Sequence, residues 1–122
     1  MGKESYVLGI QGEEIAANYL IQQGYKILDR NFRSHQGEID IIARDKDCLV
    51  FVEVKSYTYK SLSPPIYAVR KSKRESIIHA ARYFLYKNKL TDIPCRFDVI
   101  AIYKNYYNET KIDHIRNAFG II

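Results

Sequence analysis

GEIDIIARDKDCLVFVEVK, residues 37–55, holds two runs rich in Ile, Val and Phe on either side of a charged turn sequence. Runs of β-branched and aromatic residues bounded by turn formers read as strands, so the segment is predicted to be a β-hairpin. Within those apolar runs stand Glu38, Asp40, Glu53 and Lys55. An ionised side chain buried without a partner costs several kcal/mol, so charges in strands this apolar need partners or a function. In an antiparallel hairpin, directly opposed residues share a face. A loop over residues 45–48, or a two-residue turn at Lys46 and Asp47, sets Asp40 opposite Glu53 and Glu38 opposite Lys55. Ile39, Ile41, Val52 and Val54 then fill the other face. A slip of one residue would break up the charged cluster.

Two carboxylates ~5 Å apart repel by roughly 3 kcal/mol at an effective dielectric near 20, and one lysine does not neutralise several acids. A third acid joins them in this reading. Glu13 lies on the same helical stripe as Gly9, Ala16, Ala17 and Leu20, the side a helix turns towards a sheet. Three carboxylates and Lys55 leave a surplus of negative charge that a divalent cation cancels. Oxygen ligands with no histidine or cysteine among them favour Mg²⁺ or Mn²⁺ over zinc. The Glu53 and Lys55 pair read alone is also compatible with a solvent-facing ion pair on a strand.

Outward from the hairpin, residues 5–23 read as a helix stopped by Gly24, and residues 25–33 as a first strand. The strands of the hairpin span 37–44 and 48–55. Residues 56–67 form a loop broken by Pro64 and Pro65 and carrying Tyr57, Tyr59 and Tyr67, which could stack on unpaired bases or simply close over the core. A helix covers 70–89, with Arg74, Ile77, Ile78, Ala81 and Leu85 on its inner side. Residues 95–104 form an apolar strand, and 111–119 a short edge strand or turn. The order predicts one α/β domain over residues 1–122, a mixed sheet flanked by helices.

The 122 residues suffice for one sizeable core. No apolar run reaches membrane-spanning length, and the N-terminal residues lack the layout of a secretory signal. Cys48 and Cys95 fall in apolar strands without metal-type spacing and read as buried free thiols of a cytoplasmic protein. The net charge of +5 is concentrated. Residues 70–89 carry seven basic side chains against the single acid Glu75. Such a helix suggests a polyanion, with Arg70, Lys71, Lys73 and Arg74 as candidate nucleic-acid contacts, although a solvated basic face has the same appearance. His35, His79 and His114 show no mutual spacing. Asp98 could pair with Arg96 or extend the acidic site, and Asn31 and Arg33 read as structural partners at a strand end.

Asp40, then Glu53-Val54-Lys55, resembles the PD-(D/E)XK motif of restriction-endonuclease-like nucleases. The segments GEEIAANYL (12–20), GYKILDRNFR (24–33), GEIDIIARD (37–45), LVFVEVK (49–55), AVRKSKRESIIHAARYFL (68–85), RFDVIAI (96–102) and HIRNAF (114–119) resemble the YraN-like family, small bacterial proteins of that fold. The resemblance implies a restriction-endonuclease-like core and a metal-dependent endonuclease acting on DNA, branched or single-stranded. It implies Asp40, Glu53 and the Val54 carbonyl as ligands of Mg²⁺ or Mn²⁺, and Lys55 as the residue that orients the attacking water. Glu13 is similar to the helix-borne acid of resolvase-type nucleases, and Glu38 is an accessory ligand or the counter-ion of Lys55. Lys73 matches a family lysine. Ser56-Tyr57 and Leu62-Ser63 depart from the family pattern, which bears on substrate contacts. Two further readings stand beside the nuclease: a nucleic-acid-binding module without turnover, and a protein-interaction domain whose basic helix meets an acidic partner. A homodimer would supply two sites for two strands.

Overall fold

The computed structural model describes residues 2–58, 69–107 and 109–120. Its elements follow in the order α1 (Gly2–Gln22), β1 (Lys26–Ser34), β2 (Gly37–Asp45), β3 (Cys48–Thr58), α2 (Lys71–Lys87), β4 (Cys95–Lys104) and β5 (Thr110–Phe119). The five strands form one sheet in the order β1-β2-β3-β4-β5. β3 and β4 run parallel, and the other neighbouring pairs are antiparallel. The parallel pair is connected through α2, as the geometry of a crossover demands. The mixed sheet of the sequence reading is therefore the one that forms, and 110–119 is a full strand rather than a turn.

Each helix covers one face. Ala16, Ala17 and Leu20 of α1 pack on Ile41, Val50, Val52, Ile100 and Ile102. Ile77, Ala80, Ala81 and Phe84 of α2 pack on Ile39, Ile42, Leu49, Phe51 and Phe97. Burying each large apolar side chain contributes about 1.5–3 kcal/mol, so these two layers hold the sheet between the helices. α1 stops where Gly24 takes φ +92° and the Tyr25 N–H reaches back to the Leu20 carbonyl at 2.9 Å. That is the left-handed helix end that glycine permits.

Several boundaries shift. α2 buries Ala80 and Phe84 beside the expected Ile77 and Ala81, whereas Arg74 is only half-buried. β3 runs on to Thr58, so Tyr57 belongs to a strand and not to a loop. Tyr59, Tyr67 and the rest of 59–68 lie outside the described residues, as does the side of α1 around Gly9. Cys48 and Cys95 are free, but half-buried rather than buried.

The hairpin turns at Lys46 and Asp47, and the expected register holds from Asp45↔Cys48 to Ile41↔Val52. There the ladder ends. Ile39 packs on the α2 side and Ile41 on the α1 side, although two residues apart on one strand they should share a face. β1 shows the same switch opposite: Phe32 pairs with Ile39 on the α2 side, while Arg30 pairs with Ile41 and reaches Glu14 of α1 at 2.8 Å. Between them Asn31 takes φ +53°. The left-handed residue twists both strands, and the alternation expected for Ile39 and Ile41 is lost at Asp40.

Asp98, fully buried on β4, does not extend the acidic site. It accepts hydrogen bonds from Arg96 Nε at 3.0 Å and the Asn117 N–H at 2.9 Å, and meets His114 Nε2 at 2.7 Å. His114 Nδ1 lies 3.1 Å from the Tyr19 hydroxyl, and Arg96 continues to Asp45 at 3.1 Å and to Tyr25. This network ties α1 to β4 and β5, the histidine fixed between a carboxylate and a phenol.

Candidate active site

The twist at Asn31 and Asp40 builds the site. Freed from ordinary alternation, the Asp40 side chain reaches across to β3 and accepts the Val54 N–H at 2.8 Å, replacing the backbone bond that the diverging strands no longer make. Asp40 and Glu53 thus meet as expected, through the Asp40 side chain rather than as a backbone-paired couple. Glu53 is 12% exposed. Burial, the Asp40 charge and a hydrogen bond to Asp40 push its carboxyl up to about 8, against the pull of Lys73 and Lys55. Burial also raises Asp40, while the Val54 N–H and Lys73 lower it. Burial and mutual proximity thus favour one proton shared by the two acids over two adjacent charges.

Glu13 projects from α1, half-buried beside them. Its carboxyl is raised by burial and by Asp40, and lowered by Arg30 and by the Asn31 side-chain amide, which donates to it. Gly12 lets the helix come this close: a Cβ there would meet Ser56 Oγ of β3 at 2.0 Å. One oxygen of Glu13, Oε1, and one of Glu53, Oε2, are buried without a hydrogen-bond partner. Buried acceptors left empty cost about 1–3 kcal/mol each, more when charged, so both point to a missing cation or donor.

Lys55 lies on the same side of β3 as Glu53 and adds positive potential to it. Lys73, from the first turn of α2, stands 3.8 Å from Glu53. It is therefore a cation of the acidic site as well as a member of the basic helix. Glu38 is not set against Lys55 in the ladder; it pairs with Arg33 at 3.1 Å and adds negative potential to Asp40 and Glu13. Arg70 and Lys71 are exposed at the start of α2, and Arg74 follows half-buried. Among the described residues no three Asp, Glu, His or Cys side chains already enclose a space for an ion.

A family model described as uncharacterised protein family UPF0102 matches residues 12–102. The chain belongs to UPF0102. Relatives share its length as well: the UPF0102 chain is 43% identical to a UPF0102 protein of Trichlorobacter lovleyi, with 99% of this chain and 96% of that protein aligned. It is 47% identical to one of Clostridioides difficile over 88% of this chain and 92% of the relative, and 50% identical to one of Pelobacter propionicus over 93% and 82%. The matched segment of the UPF0102 chain contains Glu13, Asp40, Glu53, Lys55 and Lys73. Among the described residues no helix is long and apolar enough to cross a membrane.

Asn31 is the site residue that sequence reasoning undervalued, as a strand-end partner. The available signal was an asparagine inside a strand run, since Asn adopts left-handed backbone more readily than other non-glycine residues. His35 and His79, unrelated by spacing, line one cleft.

The raised carboxyl gives a stability prediction for the metal-free protein. A group held above its ordinary value of 4.5 contributes stability in full below that pH and loses it as pH rises through about 8. Glu53→Gln keeps the donor to Asp40 without the ionisation. The variant should match the wild type near pH 4.5 and exceed it by on the order of 2 kcal/mol above pH 8, in urea denaturation across that range.

Gly37, at the start of β2, gives a second. A Cβ there would meet the Ser76 carbonyl oxygen of α2 at 2.3 Å. Gly37→Ala should push α2 outward, cost about 1–3 kcal/mol in the same assay, and separate Lys73 from Glu53.

Proposed function

We infer that this UPF0102 protein is a metal-dependent endonuclease hydrolysing phosphodiester bonds of DNA on a restriction-endonuclease-like, PD-(D/E)XK core. The observation that carries the reading is the buried Asp40 and Glu53 pair, with an unpartnered Glu53 oxygen and Lys55 and Lys73 alongside. Two adjacent acids that share a proton when empty, flanked by cations on the open side, fit a hard divalent ion and an anionic substrate.

Asp40, Glu53, the Val54 carbonyl and Glu13 would hold Mg²⁺ or Mn²⁺. Bound there, the ion supplies Lewis-acid polarisation of the phosphoryl oxygen and a more acidic water. The chain's own residues do the rest. The Asn31 amide holds Glu13, and the charge of Arg30, itself paired with Glu14, also favours the ionised form. The Val54 N–H keeps Asp40 turned into the site. Lys55 orients the attacking water and offsets charge gathering on the phosphate. Lys73 offers a donor where the phosphate approaches, and Arg70, Lys71 and Arg74 collect the neighbouring backbone phosphates, which makes binding fall with salt.

The test is cleavage of labelled single-stranded, duplex, flap and four-way DNA in Mn²⁺ by the wild type and by Lys55→Ala. Cutting of one substrate class, lost in the variant, is expected. A second reading, a nucleic-acid-binding module without turnover, draws on the lack of a three-sided acidic cage among the described residues. It predicts salt-sensitive binding that is indifferent to EDTA and no cutting at all.

A further inference from the structure

Two adjoining clefts run beside the acidic site, of about 480 and 370 Å³. Both are lined by Arg33 and Ser34, so they form one trough between the β1–β2 turn and α2. Its far end is walled by His35, His79 and Tyr83, and its near end by Glu38 and Lys73. Lys73, which walls the near end, also stands 3.8 Å from Glu53, so the trough and the acidic site share this lysine. Gly37 sets its width there, because its close approach to the Ser76 backbone draws α2 against the turn.

The lining offers several donors and one flat ring, and its one carboxylate, Glu38, is paired with Arg33. Arg33 is 78% exposed along its side chain, and its guanidinium keeps donors beyond the one spent on Glu38. The exposed imidazoles of His35 and His79 each present at least one ring N–H or nitrogen to the trough. Tyr83 is 44% exposed, yet its ring is backed by Phe32 at 6.0 Å with 30° between planes, and Phe32 abuts Phe84 edge-on at 5.3 Å. An aromatic ring supported from behind and open in front is a platform for another flat ring.

We propose that this trough is the track for an unpaired nucleic-acid strand entering the acidic site: Arg33, His35 and His79 hold its phosphates, and Tyr83 stacks one of its bases. The proposal rests on the reading that the site acts on phosphodiesters. Base faces are available to an aromatic side chain only when the base is unpaired, whereas a duplex presents mainly its backbone here. Donors and a stacking ring in one trough thus select a single strand, or the single-stranded arm of a flap or fork.

The experiment is fluorescence anisotropy of a labelled 20-nucleotide dT strand and of a blunt duplex, in EDTA, with the wild type, Tyr83→Ala, Tyr83→Phe, His79→Ala and Arg33→Ala. The single strand should bind the wild type more tightly than the duplex. Tyr83→Ala should weaken single-strand binding by about 5- to 100-fold, and Tyr83→Phe should restore most of it. Arg33→Ala should reduce the slope of log affinity against log salt by about 0.7, while Tyr83→Ala leaves that slope unchanged. Where Tyr83→Ala loosens Phe32, His79→Ala on the open rim reads the same surface with the fold intact. Equal affinity for strand and duplex, or single-strand binding unmoved by Tyr83→Ala and His79→Ala, overturns the proposal. EDTA keeps the outcomes separable: loss of binding in the variants without any cutting by the wild type in Mn²⁺ upholds the track and removes the nuclease, and cutting with unmoved binding does the reverse.

Discussion

Asp98→Ala is expected to lower the unfolding free energy by about 3–5 kcal/mol, the largest stability effect of any single change considered. The substitution leaves Arg96 and His114 without the buried carboxylate that both contact and orphans the Asn117 N–H. Burial alone would raise this carboxyl, but the hydrogen bonds from His114, Arg96 and the Asn117 N–H outweigh it and hold it below the ordinary value of 3.8. A depressed carboxyl contributes stability that is present above its unfolded value and lost as pH falls through the folded one. The wild type should therefore weaken below about pH 4, and Asp98→Ala should show a shallower acid limb. Urea denaturation at pH 7 and pH 3 checks both. Because Tyr19 joins the network from α1, loosening it should also disturb the placement of Glu13 on the same helix.

Asp40→Asn should reduce DNA cleavage by about a thousandfold, the equivalent of ~4 kcal/mol of transition-state stabilisation, with the fold retained. The asparagine oxygen still accepts the Val54 N–H, so β2 and β3 keep their junction. What disappears is the negative charge that the proposed cation site with Glu53 requires. Removing that charge also relieves the cost of burying it, so the variant should melt no lower than the wild type. Loss of activity with unimpaired stability separates a residue held for chemistry from one held for structure. Cleavage rates and thermal melts on the same samples provide the comparison.

The hairpin was legible because two apolar runs flank the charged turn formers Lys46 and Asp47, and a two-residue turn there sets the register that forms from Asp45↔Cys48 to Ile41↔Val52. The two helices and the mixed sheet followed from element order. The twist at Asn31 and Asp40 was not legible, since it arises from pairing between β1 and β2 and not from the pattern of either strand. Asp40 and Glu53 come together all the same, by another route, the Asp40 side chain bridging to β3. Glu38 was assigned to Lys55 by extending a ladder that in fact stops at Ile41, and it found Arg33 across the β1–β2 turn. Tyr19 and His114 are 95 positions apart and Tyr25 and Arg96 are 71 apart, so no local pattern announced their network. β5 reads as weak because an edge strand with only half-buried and exposed residues carries little apolar alternation.

Asp40 and Glu53 are proposed to form a divalent-cation site. Calorimetric titration of Mn²⁺ into the wild type and into Asp40→Asn at pH 8 tests it most directly. A saturable binding event in the wild type, absent or at least about tenfold weaker in Asp40→Asn, is the predicted result. Equal binding by the two proteins, or no binding by the wild type, would contradict it and leave the acidic pair without a cation to serve.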